Sequence, residues 1–175
     1  MKESRMTDYR EYVQRLARER TGESFYNNSA DHAAIIIENL LATAREKVCF
    51  VSTKLNPDVF GRVSVVNAAS TFLSDTSHKI CVLMETDPNE TVDPKHSLVA
   101  EFRLHNNVFF RRMNDAQVDF IDFHFTVADA NSFRFEPNKE AWEASAAFGD
   151  ERNGRKLDNM FNTMWDRAEF VAMPA

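Results

Sequence analysis

An acid stands two residues before an imidazole in the stretch VDFIDFHFTVADANSFRFEP, residues 118–137: Asp122 and His124. Alternation along an extended chain sends Ile121, Phe123, Phe125 and Val127 to one face. Val118, Phe120, Asp122, His124, Thr126 and Ala128 fall on the other. The first face is wholly apolar. The second sets a carboxylate and an acid–base group inside an otherwise buried-looking run, where an unpaired charge is costly. Asp129-Ala130-Asn131 suits a three-residue hairpin loop, with Asn131 in the left-handed conformation that Asn tolerates. In that register Ser132, Arg134 and Glu136 join the Asp122/His124 face, and Phe133 and Phe135 join the apolar one. A two-residue loop reverses this and sets Arg134 against Val127, so matched polarity selects the first register. The expected result is a polar cluster of Asp122, His124, Thr126, Arg134 and Glu136. Such a cluster either recognises a ligand or is a satisfied ion-pair network under the C-terminal helices.

The surrounding composition bounds what the cluster can do. With 175 residues, 43% hydrophobic content and 15 Phe, the chain can bury one core. Only 4 Gly and 5 Pro argue against a loop-rich or all-β design. A formal net charge of -6 disfavours wholesale attraction to nucleic acid or an anionic membrane. A local patch of Arg103, Arg111 and Arg112 stays a candidate nucleic-acid contact, against the plainer reading of an exposed strand end. Cys49 and Cys81 lie in apolar runs and read as reduced core thiols, which fits a cytoplasmic location. The start, MKESRMTDYREYVQR, has no signal-peptide core, and no apolar run is long enough to span a membrane. No Gly-rich phosphate loop, CxxC or Ser-His-Asp order is present, so no cofactor is expected. Asp122 and His124 are both metal-ligand types, but two ligands two apart do not make a metal site.

The elements that position the cluster follow from periodicity. Residues 7–20 form a helix with Tyr9, Tyr12, Val13 and Leu16 on one stripe. Ser24–Asn28 is a short edge strand. Ser29 caps a helix running to about Lys47. Val48–Val51 and Ile80–Met84 are continuous apolar strands of the doubly buried kind. Between them Asn56-Pro57-Asp58 starts another helix. Two such β-α units imply a parallel pair with a right-handed crossover. Glu85–Pro94 is an acidic loop at the carboxyl end of a parallel strand, where open α/β sheets bind ligands; a solvated loop is its plain reading. A short helix over 96–104 and a strand at 108–110 follow. Lys139–Phe148 reads as a helix, and Asp150 caps a last amphipathic helix carrying Leu157, Met160, Phe161, Met164, Trp165 and Ala168. Strands alternating with helices and closed by a hairpin give an α/β fold, a mixed β-sheet flanked by helices on both faces.

This element order resembles one repeat of the phospholipase-D-like superfamily. Active members carry His-x-Lys, four further residues, then Asp, on a strand that enters a hairpin. Here Asp122-Phe123-His124-Phe125-Thr126-Val127-Ala128-Asp129 keeps the spacing, with Asp122 at the His position, His124 at the Lys position and Asp129 retained. Glu136-Pro137 replaces the Gly-Ser that often follows. The C-terminal FGDERNGRKLDNMFNTMWDRA is similar to the closing helix of small members, and the resemblance spans residues 24–168.

The resemblance implies a phospholipase-D-like domain over residues 24–171, preceded by an N-terminal helix, residues 1–23, for docking or an oligomer contact. Family enzymes attack a phosphodiester with histidine and hold the phosphate with lysine. An Asp in the attacking position repels phosphate, and His124 is a weak substitute for a lysine. Two repeats normally build one active site, and this chain holds one. The expectation is therefore a non-catalytic binding or regulatory module, acting as a homodimer or as a subunit of a larger complex. Thr126, Asp129, Arg134 and Glu136 would be its ligand contacts. The alternative is a divergent nuclease or phosphodiesterase with catalytic Asp122 and His124, His124 being the nucleophile, in a homodimer.

Overall fold

The computed structural model describes residues 2–174, with side chains from Arg5 onward; Met1 of the N-terminal segment lies outside the described residues. In chain order the elements are α1 (Lys2–Glu19), β1 (Phe25–Asn27), α2 (Ala30–Thr43), β2 (Lys47–Ser52), α3 (Pro57–Phe60), α4 (Val63–Leu73), β3 (Lys79–Met84), α5 (Pro88–Thr91), α6 (Ser97–Phe102), β4 (Val108–Arg112), α7 (Asp115–Val118), β5 (His124–Ala128), β6 (Ser132–Glu136), β7 (Ala144–Phe148), α8 (Glu151–Arg167) and β8 (Glu169–Phe170). The strands of the described residues make one sheet in the order β1-β7-β6-β5-β2-β3-β4-β8. β2, β3 and β4 run parallel, and β5 joins β2 antiparallel. β6, β7 and β1 then extend the sheet antiparallel.

The sheet is buried on both faces, as its continuous apolar strands require. Val48, Phe50, Ile80 and Val82 point into a core shared with α1, α2, α4 and α6. Their neighbours Cys49, Val51, Cys81 and Leu83 point the other way, into a core closed by Leu157 and Phe161 of α8. The two thiols lie side by side in register across β2 and β3. Burial pushes the Cys49 thiol well up; a hydrogen bond from Cys49 holds Cys81 below its usual value, helped by Lys47, Lys79 and Arg111. Helix α1 packs on α2: Val13, Leu16 and Ala17 are buried, Tyr9 stacks on His32, and Arg10 pairs with Glu38 at 2.6 Å.

Local chemistry explains most boundaries. Ser29 accepts the N–H of His32 and opens α2, and Asn56 with Pro57 opens α3. The helix expected to continue from there breaks at Gly61, where an added Cβ would come within 2.6 Å of the Pro57 carbonyl oxygen. The acidic loop contains one helical turn, α5.

Three expectations are corrected. Residues 144–148 form strand β7, between β6 and β1, not a helix. Ala146 and Phe148 are buried in one core and Ala147 in the other, so no alternation marks the strand and helix-favouring alanine misleads. The hairpin strand also begins later than expected: residues 115–118 are α7, and Val118, Phe120 and Asp122 precede β5. The register itself is the expected one, with Thr126 opposite Arg134 and His124 opposite Glu136. At the turn Asp129 and Ala130, rather than Asn131, adopt positive φ, 50° and 54°. Asp129 offsets that strain by accepting the backbone N–H groups of Arg45, Glu46 and Lys47 at 2.7–3.0 Å.

Candidate functional site

A polar pocket of about 380 Å³ opens where β2 ends and β5 begins. Behind three of its lining residues, Thr53, His124 and Lys139, lies Glu85, the first residue after β3 and 8% exposed. One carboxylate oxygen receives the Thr53 hydroxyl at 3.1 Å and meets His124 Nε2 at 2.9 Å; the other receives Lys139 Nζ at 2.7 Å. Lys139 also donates to the Ile121 carbonyl at 3.0 Å. His124 Nε2 lies 3.0 Å from the Thr53 hydroxyl, and its Nδ1 lies 4.0 Å from Glu136. Burial pushes the Glu85 carboxyl up, but the hydrogen bonds and charges of His124 and Lys139 outweigh it and hold the group below its usual value.

Beside this triad lies a second ion pair. Arg134, 5% exposed, faces both oxygens of Glu136 at 3.0 and 3.1 Å, a bidentate geometry. It also donates to the Asn27 side chain at 3.1 Å and the Trp142 carbonyl at 3.4 Å. Phe60, Trp142, Lys54 and Glu140 complete the walls. Arg134, Lys139 and the His124 ring thus each meet a carboxylate within the chain.

His124, Thr126, Arg134 and Glu136 are brought together as expected. Asp122 is not: it is exposed, in the loop before β5, and does not line the pocket. Asp129 sits at the far end of the hairpin, holding the chain that enters β2. Sequence reasoning missed Thr53, Glu85 and Lys139. The signal for Glu85 was its place at the carboxyl end of β3; Lys139 was hidden by the false helix.

The family model of a domain of unknown function, DUF7931, matches residues 29–172. The chain belongs to the DUF7931 family. No curated protein matches it. Among solved structures, TrmBL2, an archaeal chromatin protein reported to show a novel mode of DNA binding, superimposes with a TM-score of 0.61 at 13% identity, over 97% of this chain and 63% of that one. The DUF7931 chain therefore spans less than two thirds of that protein. Nuc from Salmonella typhimurium, a phospholipase D family member, gives 0.57 at 7% identity over 85% and 96% of the two chains. NucT from Helicobacter pylori gives 0.58 at 12% identity over 85% and 100%. At these identities the likeness shows the fold: the DUF7931 sheet and its flanking helices have a phospholipase-D-like architecture.

The arginine patch of this DUF7931 protein is engaged internally. Arg103 donates to the carbonyls of Pro174 and Pro94. Arg111 donates to the Trp165 carbonyl and lies over the rings of Trp165 and Phe170, 4.8 and 4.2 Å from their centroids. Arg112 pairs with Glu169 at 2.9 Å. Among the described residues no helix is long and apolar enough to cross a membrane, and no group of His, Cys, Asp and Glu could hold a metal ion.

Proposed function

We propose that this protein is a non-catalytic, phospholipase-D-like binding module, a pseudoenzyme with a degenerate His-x-Lys-x4-Asp motif. One observation carries the reading: the groups that could attack or clamp a phosphodiester are already committed. His124 Nε2, the atom that would attack, is held by Glu85 and Thr53. The lysine that reaches the site, Lys139, comes from another part of the chain and is held by the same carboxylate. Asp122, at the motif's histidine position, stands exposed outside the pocket. A phosphate dianion would have to displace Glu85 and Glu136 from their cations, and like charges at contact distance oppose this. The balanced pocket, with Phe60 and Trp142 on its walls, suits a small polar ligand of low net charge.

The module acts as a homodimer or as part of a larger assembly. The test is turnover of bis(p-nitrophenyl) phosphate and of short single- and double-stranded DNA and RNA by purified protein. No turnover is expected, and inorganic phosphate should leave the melting temperature unchanged near neutral pH. Turnover abolished by His124→Ala would refute the proposal and favour the nuclease reading, to which Nuc and NucT lend fold-level support. Nucleic-acid binding without cleavage is the second reading, supported by likeness to a DNA-binding chromatin protein. It requires affinity that falls steeply with salt and weakens in an Arg111/Arg112 double variant.

A further inference from the structure

We propose that the α7–α8 face docks a second copy of this chain across a two-fold axis. The observations are independent of the polar pocket, which opens beside α2 and α3. On the opposite side of the sheet, an apolar groove of about 330 Å³ runs between α7 and α8. Its walls include Gln117, Ile121, Phe123, Met160 and Met164. At its rim stands Phe120, 89% exposed, with Met160 39% exposed beside it. A phenyl ring left this open beside an apolar groove is a knob next to a hole. Exchange between two copies would place each knob in the other's hole, the self-complementary arrangement of a two-fold interface. Each aromatic ring buried in this way removes about 150–250 Å² from water.

The charges around the groove make a second copy the fitting occupant. Asp115, Asp119 and Asp122 are exposed on the α7 side. Arg152, Lys156 and Arg167 are exposed on α8, at spacings that keep them on the Met160 face of the helix. None of these six side chains joins an ion pair among the described residues. A two-fold axis through the groove lays the acidic flank of one copy on the basic flank of the other, twice. The 17 residues of α8 give the face a length of roughly 25 Å, enough for a patch of ordinary interface size.

The test is sedimentation velocity on the full chain, with Phe120→Asp, Asp119→Lys and Arg167→Asp variants. Phe120 is so exposed that Phe120→Asp should leave the circular dichroism spectrum and melting temperature unchanged. Wild type is expected to be a dimer and Phe120→Asp a monomer, with association weakened at least about 30-fold. The two charge variants should each weaken the homodimer, and an equimolar mixture of them should restore a dimer, because unlike charges then face each other at both contacts. A wild type that stays monomeric to about 100 μM, where even weak association would show, overturns the proposal. So does a dimer that survives Phe120→Asp, or a variant mixture that fails to associate.

Discussion

Replacing Glu85 by Gln tests whether the buried carboxylate organises the pocket. The side chain is 5% exposed and joins Lys139, 24% exposed, to His124, 14% exposed. Removing one member of a buried ion pair costs about 3–5 kcal/mol, because the partner is left as an uncompensated charge. Partial access of water to Lys139, and the amide oxygen that Gln keeps as an acceptor, reduce this to about 2–3 kcal/mol. At about 2–4 °C per kcal/mol for a chain of this size, the melting temperature should fall by roughly 5–10 °C near neutral pH. Urea unfolding followed by circular dichroism gives the free energy directly. The pH dependence supplies the sharper readout. The Glu85 carboxyl lies below its usual 4.5 in the folded protein. The unfolded chain therefore binds more protons between the two values, and stability rises with pH across that window. The contribution of Glu85 is complete above 4.5 and is lost as the pH falls through the lower, folded value. The gap between wild type and Glu85→Gln should accordingly be wide near neutral pH and close in acid. Glu140→Gln, at an exposed position on the same pocket, is the control and should change little. Equal stability of wild type and Glu85→Gln near neutral pH, or a gap that persists unchanged into acid below the folded value, would refute the reasoning.

Three further outcomes are expected. Gly154→Ala should destabilise by more than about 1 kcal/mol despite alanine's better helix propensity, because its Cβ would lie 2.6 Å from the Asn131 backbone; a gain in melting temperature would show that α8 does not rest on the hairpin turn as described. Asp129→Ala should cost about 1–3 kcal/mol by stripping the acceptor from three backbone N–H groups and placing alanine at positive φ, while Asp129→Asn should recover part of the loss in urea unfolding. Phe161→Ala, at a site 1% exposed, should cost about 3–5 kcal/mol and speed alkylation of Cys49 and Cys81, which lie in the same core.

The parts of the fold legible in the sequence are those where a local signal and the tertiary role agree. Ser29 and Asn56-Pro57 announce helices because capping chemistry is local. VCFV and ICVLM announce doubly buried strands because each is an unbroken apolar run with a polar residue on either side. The hairpin register was legible because one face of β5 and β6 tolerates only apolar groups. The false helix over 139–148 arose where both faces of a strand are buried under small residues, leaving propensity to decide, and propensity chose wrongly. That error also hid Lys139. Glu85 looked like one of several loop acids, since nothing adjacent in sequence shows that a lysine and a histidine from far along the chain converge on it. Asp122 kept its motif spacing but not its expected position, because β5 starts two residues later.

The walls of the polar pocket are contributed by α2, the end of β2 and the turn after it, α3, the hairpin and the crossing before β7, and Glu85 braces three of their residues from behind. No short fragment contains it, since its lining runs from Ile37 to Trp142. While the protein is being synthesised, Glu85 emerges from the ribosome well before His124 or Lys139, and its carboxylate must stay hydrated until they arrive. Occupancy of this cavity is consequently a report on the hairpin's return to β2, and a chaperone or protease surveying the nascent polypeptide would meet a bare acidic turn rather than a finished receptor.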